Sequence, residues 1–512
     1  IAMNANVNLG ASGSLTMDAG RDVLMASAKS ITTTGASVAV IAGEDLSLSA
    51  INAGAGTVVL DVTGEVSLAQ TTSAQVTAGS LLMSAGSTAT ASNALTLAVS
   101  NLSLSVNTGN LVLVTNTAVT VADMNAAVNA VNATAGLSAQ NFTQSGISTL
   151  NGNFDWTANA SVTVANGVTV SAVTTSDSTI ATLDLTLVGA ASNLVLGNAA
   201  TLTTDGAMTL DVAGNMSMTN AQATGANLSA ATINTSVAGT MTVVGNITGT
   251  TSVVLNAVGA MSVTGNLGSA IIDVNATDSF TLAGNINGTT VTVDSGKAMS
   301  VTGNTVATTL AMTSLDAITV TGNLTTTSTM NLSSVKATAI TGNISASTLT
   351  AVSSDSLAVT GNISATDASL TSGSSMNVAG DMTIADALVL DATGAMTVAG
   401  TTSANSVAFT SDSTMIITGA TSATTTMNLD SALLMTVTGD LSAASITATS
   451  NAGMTAQGNI TGSNNLVLNA VGAMNVTGNL GSAVIDVNAT DSFTLAGNIN
   501  GTTVTVDSGK AM

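Results

Sequence analysis

From about residue 241 onward, apolar and polar positions alternate in a pattern that restarts every 19 or 20 residues. Each restart is marked by a glycine, at 265, 284, 303, 322, 342, 361, 380, 400, 419, 439, 458, 478 and 497. Two residues before the glycine stands an aliphatic side chain, from Val263 and Leu282 to Val476 and Leu495. Four before it stand Met261, Phe280, Met299 and Ile318, and near the end Met474 and Phe493. The residue between is mostly Ser, Thr or Asn. A period of two places these polar residues on the opposite face from the apolar pair, which predicts a strand buried on one side. After the glycine come Leu267 and then Ile272-Asp-Val274, so each repeat predicts about three short strands.

Residues 1–140 hold the same kind of short alternating runs at less regular spacing, as in Leu46-Ser-Leu48 and Leu111-Val-Leu113. Residues 141–240 are less regular still, and residues 241–512 are strict. Helix competes only in the Ala/Asn/Val-rich run 121–135, where the Asn and Val content disfavours it.

A repeat of 19–20 residues cannot fold alone. It buries about six apolar side chains at roughly 2 kcal/mol each. Ordering its backbone costs about 1–2 kcal/mol per residue. Stacking on a neighbour supplies the missing hydrogen bonds and covers the apolar edges. The expectation is therefore an all-β parallel β-helix, a β-solenoid whose coils place like residues over like. Dividing 512 residues by the repeat length gives about 26 coils, spaced about 4.8 Å apart. The complete absence of proline fits, because every coil interior needs its N–H groups.

Two polar columns test the stacking. Six residues before the glycine stand Asp278, Lys297, Asp316, Lys336 and Asp355, and later Asp491 and Lys510. In register these form a charge ladder of alternating sign, a structural feature. Directly after the glycine stand Asn266, Asn285, Asn304, Asn323, Asn343, Asn362, Asn459, Asn479 and Asn498. Glycine allows the left-handed backbone of a tight bend, and the asparagines are expected to bond amide to amide from coil to coil. Several also open Asn-x-Ser/Thr sequons, but the asparagine recurs where no sequon follows, as in Asn266-Leu-Gly. A longer repeat overlies the short one. Residues 252–299 recur at 465–512, a shift of 213, with differences only at 252/465, 253/466, 262/475 and 271/484.

Composition narrows the function. Aromatics are 1% and charged residues 6%, while 45% of the chain is hydrophobic, which is wrong for disorder. The net charge is −22 and only Arg21, Lys29, Lys297, Lys336 and Lys510 are basic, so no patch can track nucleic-acid phosphates. Without His or Cys there is no Ser-His-Asp or Cys-His nucleophile and no imidazole or thiolate zinc site. No catalytic residue, cofactor site or metal site is assigned. The one metal reading is calcium through turn acids such as Asp273, Asp278 and Asp294. No run of about 18 apolar residues predicts a transmembrane segment. The chain begins at Ile1 and stops in mid-repeat, as expected of a window from a longer protein.

The repeat length, the phrases Ala19-Gly-Arg-Asp22-Val-Leu-Met25 and Ala42-Gly-Glu-Asp45-Leu-Ser-Leu48, and the lack of Pro and Cys resemble the filamentous-haemagglutinin-like adhesins. The resemblance covers most of the chain. It implies a right-handed parallel β-helix shaft in a giant bacterial protein, secreted to the cell surface. The expected function is a non-enzymatic structural shaft, with copies of itself as partner in a fibre or sheath. The alternative is an adhesin that meets a cell-surface glycan through the irregular region near Trp156, the only tryptophan, with Phe142 and Phe154 close by in sequence.

Overall fold

The computed structural model describes residues 1–10, 13–69, 74–89, 94–122, 124, 146–150, 152–174, 180–218 and 226–510. Every element among them is a β-strand, and every strand pairing is parallel. The strands stack as a β-solenoid of about 23 turns. That is fewer than the 26 from dividing the chain by its repeat, because the coils before residue 240 are longer. The chain forms two compact units, Ile1–Thr277 and Asp278–Met512.

Each regular coil has three faces. The M face carries the short strands with the Met-x-Val pattern, such as Met299–Thr302. The short face follows the corner glycine, as in Leu324–Thr326. The long face holds six-residue strands such as Thr309–Ser314. In several coils the short and long faces run together, as in Ile344–Ser353. Register is strict: Met299 sits on Ile318, Ile318 on Thr338, Thr338 on Leu357 and Leu357 on Met376. The inward residues Met299, Val301, Ile318 and Val320 are at most 1% exposed. The two apolar columns of the sequence are thus the core, and the residues between them face outward.

The first unit is irregular where the sequence is. Leu111 pairs with Phe154, 43 positions on, and Val162 with Leu194, 32 positions on. The pairings resume in parallel register on both sides of residues 125–145, which lie outside the described residues together with Phe142 and most of the 121–135 run. Val121 itself ends the strand Val119–Val121.

The corner glycines owe their place mainly to crowding. Gly265 and Gly303 do take positive φ, at 146° and 143°. From Gly322 onward no such angle is needed. There a Cβ would run into the backbone carbonyl of the corner glycine one coil earlier, as Gly342 would meet Gly322. The expected left-handed bend is therefore corrected to a close approach of stacked backbones.

Candidate functional site

The corner after the glycine is a continuous hydrogen-bonded rail, built differently from expectation. Each asparagine side-chain oxygen accepts the backbone N–H of the next corner residue. Asn285 Oδ1 accepts from Asn304 at 2.9 Å, Asn304 from Asn323 at 3.0 Å, Asn323 from Asn343 at 2.8 Å and Asn343 from Asn362 at 2.9 Å. Asn266 N–H donates to Asn246 in the first unit at 2.9 Å. Asn459, Asn479 and Asn498 continue the rail at 3.0 and 2.9 Å. An amide-to-amide bond accompanies the rung of Asn479 on Asn459, at 3.0 Å. The predicted amide ladder is corrected for a geometric reason. In-register coils bring a backbone N–H, rather than a second amide, opposite the accepting oxygen.

Since a rung needs only an acceptor, aspartate can replace asparagine. Asp381 accepts both the N–H and the hydroxyl of Thr401, at 2.8 and 2.7 Å, and Asp440 accepts from Asn459 at 2.7 Å. The Thr401 hydroxyl first, then its N–H, hold the Asp381 carboxyl below its ordinary pKa.

The first unit has rails that the regular spacing did not reveal. Asn193 accepts from Asn215 at 2.7 Å, and Asn215 from Thr240 at 2.8 Å. Asp22 accepts from Asp45 at 3.3 Å and Asp45 from Glu65 at 2.8 Å, so the Ala-Gly-x-Asp phrases are rails too. The readable signal is an acceptor side chain directly before a strand's first inward residue, as in Asp22-Val23, Asn215-Met216 and Asn266-Leu267.

A second polar column also escaped the sequence reading. Serines closing the long face point inward, with Ser314, Ser353 and Ser372 at most 1% exposed. Ser353 Oγ donates to Lys336 O at 2.6 Å and lies 2.9 Å from Ser356 O. Ser372 makes the same pair with Asp355 O and Ser375 O, at 2.8 and 2.9 Å. The hydroxyls tie the turn of one coil to the next inside the core. Ala276, Ala392 and Ala489 occupy the same position in other coils. The near-identical blocks share their local chemistry: Asn275 donates to Asn256, and Asn488 to Asn469, both at 3.0 Å.

The charge ladder resolves into pairs. Lys297 meets Asp278 at 2.7 Å, Lys336 meets Asp316 at 3.2 Å and Lys510 meets Asp491 at 2.8 Å. Each lysine reaches the aspartate of the preceding coil. Asp355 instead takes part through its backbone carbonyl, which accepts from Ser372 and from Ser374 N–H at 3.1 Å. The Lys297 ammonium first, and the Ser279 N–H second, depress the Asp278 pKa. The lysines are well exposed and the aspartates partly so, and each pair contributes little to stability.

Trp156 is not at the surface. It is 1% exposed, stacked on Phe154 with ring centroids 5.8 Å apart, and its indole N–H donates to Thr115 at 3.0 Å. In Phe154-Asp-Trp156-Thr-Ala158 the period of two puts Trp156 inward with Phe154 and Ala158. The expected aromatic contact for a glycan is corrected accordingly: no indole face is available to a sugar. The outward neighbour, Asp155, lies directly opposite Asp184 on the next strand. Burial, and secondarily Asp184, raise its pKa.

Among the described residues no three acidic side chains converge to hold a metal ion. Among the described residues no helix is long and apolar enough to cross a membrane. No family model, curated protein or solved structure matches the chain.

Proposed function

We propose that this chain is a non-enzymatic segment of the shaft of a large extracellular surface protein, in the manner of the filamentous-haemagglutinin-like adhesins it resembles. Its partner is a further copy of itself in a fibre or sheath. The observation that carries this reading is the direction of its recurrent polar groups. The corner asparagines and the buried serines are both spent on the neighbouring coil, as in Asn343 on Asn362 and Ser353 on Lys336. Groups committed to stacking are not presented to a substrate. Such a rail transmits load along the coil axis through many parallel hydrogen bonds. The small side chains that remain outside suit close packing of shafts. A glycan-binding role through Trp156 is not proposed, because the indole is buried.

Electron microscopy of the purified chain is the test. Unbranched rods are expected, and compact particles would overturn the reading. In single-molecule pulling, coils are expected to yield in small successive steps. One all-or-none rupture would contradict stacked, nearly independent units.

A further inference from the structure

The second unit has a face that matches a copy of itself. We infer that its M face is a docking surface for the M face of a second copy of this chain; this rests on the shaft reading above and names the surface that it would use. The unit spans 278–512 and holds fourteen aspartates against three lysines, a net charge of −11. None of these charges lies on the M face. From the residue before each Met-position to the residue before each corner glycine, all twelve coils carry only uncharged side chains. The charges flank it and cover the long face: Asp278, Lys297, Asp316 and Lys336 run along the turn before the M face, and Asp381 and Asp440 stand at the corner after it. Asp294, Asp367, Asp391, Asp430, Asp486 and Asp507 point outward from the long face. Two long faces would bring carboxylates together with no lysine to answer them. The M face is where two such units meet without that repulsion.

The face itself is neutral, and its rim carries exposed aliphatic side chains beside the charge ladder. Leu315 is 63% exposed, Val335 52%, Leu434 55% and Val471 56%, all along the rim where the long face turns into the M face. Ile416, 39% exposed, stands in the middle of the face. Around them Thr319, Thr321, Thr436 and Thr438 present short side chains. Short side chains let two sheets approach to about 10 Å, the ordinary distance between packed faces. The size is adequate too. Twelve strands about 4.8 Å apart, on a face five residues wide at about 3.3 Å per residue with alternate residues outward, give a footprint of roughly 900 Å² per copy. A stable interface uses about 800 Å² per partner.

The test uses the full chain in sedimentation velocity. The parent is expected to self-associate with rising concentration. Combining Thr319→Glu, Thr397→Glu and Thr436→Glu is expected to abolish the associated species. Thr350→Glu, Thr371→Glu and Thr449→Glu add the same charge to the long face and are expected to leave association unchanged. A parent that stays monomeric while forming rods in the microscope overturns the docking surface but leaves the shaft. Compact particles instead of rods overturn the shaft itself. Equal loss of association in both triple variants also overturns the choice of face. Crosslinking covers the case in which the M-face variant fails to fold. The chain has no cysteine, so Thr436→Cys supplies its only thiol. Oxidation is expected to give covalent dimers from Thr436→Cys but not from Thr371→Cys. The reverse result overturns the proposal.

Discussion

Asn343 Oδ1 accepts the backbone N–H of Asn362 at 2.9 Å, and Asn362 Oδ1 accepts that of Asp381 at the same distance. The acceptor matters here and the amide nitrogen does not. Asn362→Asp is therefore expected to keep the rung, while Asn362→Ala loses it. An exposed rung is worth about 0.5–1.5 kcal/mol. Hydrogen exchange checks this: in Asn362→Ala the amide of Asp381 should exchange faster, with Asn459 and Asn479 unaffected. Equal acceleration in Asn362→Asp would show that the amide nitrogen contributes after all.

Stacked corner glycines admit no methyl group. Gly342→Ala places a Cβ against the carbonyl of Gly322, and neither backbone can retreat without breaking its ladder. Overpacking of this kind costs about 1–3 kcal/mol or more. Gly268 has open space around its would-be Cβ and no positive φ. Gly268→Ala is expected to melt within a degree or so of the parent, and Gly342→Ala several degrees lower. Similar melting of the two would leave the glycine column without a steric cause.

These two corners show what sequence could and could not convey. Met299 over Ile318 and Val301 over Val320 were legible, because in-register stacking turns a coil's inward pattern into a column. The donor at the asparagine corner was not legible, since Asn offers both an oxygen and an amide. Only Asp381 and Asp440 in the same column tell them apart. Trp156 misled by its rarity, although its alternation with Phe154 already placed it in the core. The serine column was hidden because Ser and Ala interchange there and resemble filler. Pairings 43 and 32 residues apart hid the rails of the first unit from any reading based on a fixed step.

The inward serines yield a reciprocal pair of predictions. Ser353→Ala leaves Ser356 O without its hydroxyl donor and Lys336 O with the Ser334 hydroxyl alone, and is expected to cost about 1 kcal/mol. Ala392→Ser adds the same hydroxyl to a coil that lacks it, in a position already sized for serine elsewhere. It is expected to be neutral or stabilising. Denaturant titration of both variants decides the matter. A loss of stability in Ala392→Ser would mean that its turn carbonyls are not within reach of the new hydroxyl.

Asp155 and Asp381 should respond to acid in opposite directions. Burial, then Asp184, raise the Asp155 pKa, so the fold binds its proton more readily than the unfolded chain does. Its unfavourable contribution is absent below the ordinary carboxylate pKa of about 3.9 and is fully felt once pH exceeds the raised folded value. Like charges directly opposite on neighbouring strands cost about 0.2–1 kcal/mol. Asp155→Asn is therefore expected to stabilise the first unit at neutral pH and to have little effect near pH 3. The Asp381 pKa is lowered by Thr401, so its contribution is present above the ordinary carboxylate range and lost as pH falls through the lower folded value. Asp381→Asn keeps an accepting oxygen and should remove that acid sensitivity while changing little at neutral pH. Amide exchange of Thr401 and of the strand Phe154–Ala158, compared at neutral pH and near pH 3, separates the two sites. If Asp155→Asn destabilised the strand at neutral pH, neither burial nor, secondarily, Asp184 could be what raises the pKa.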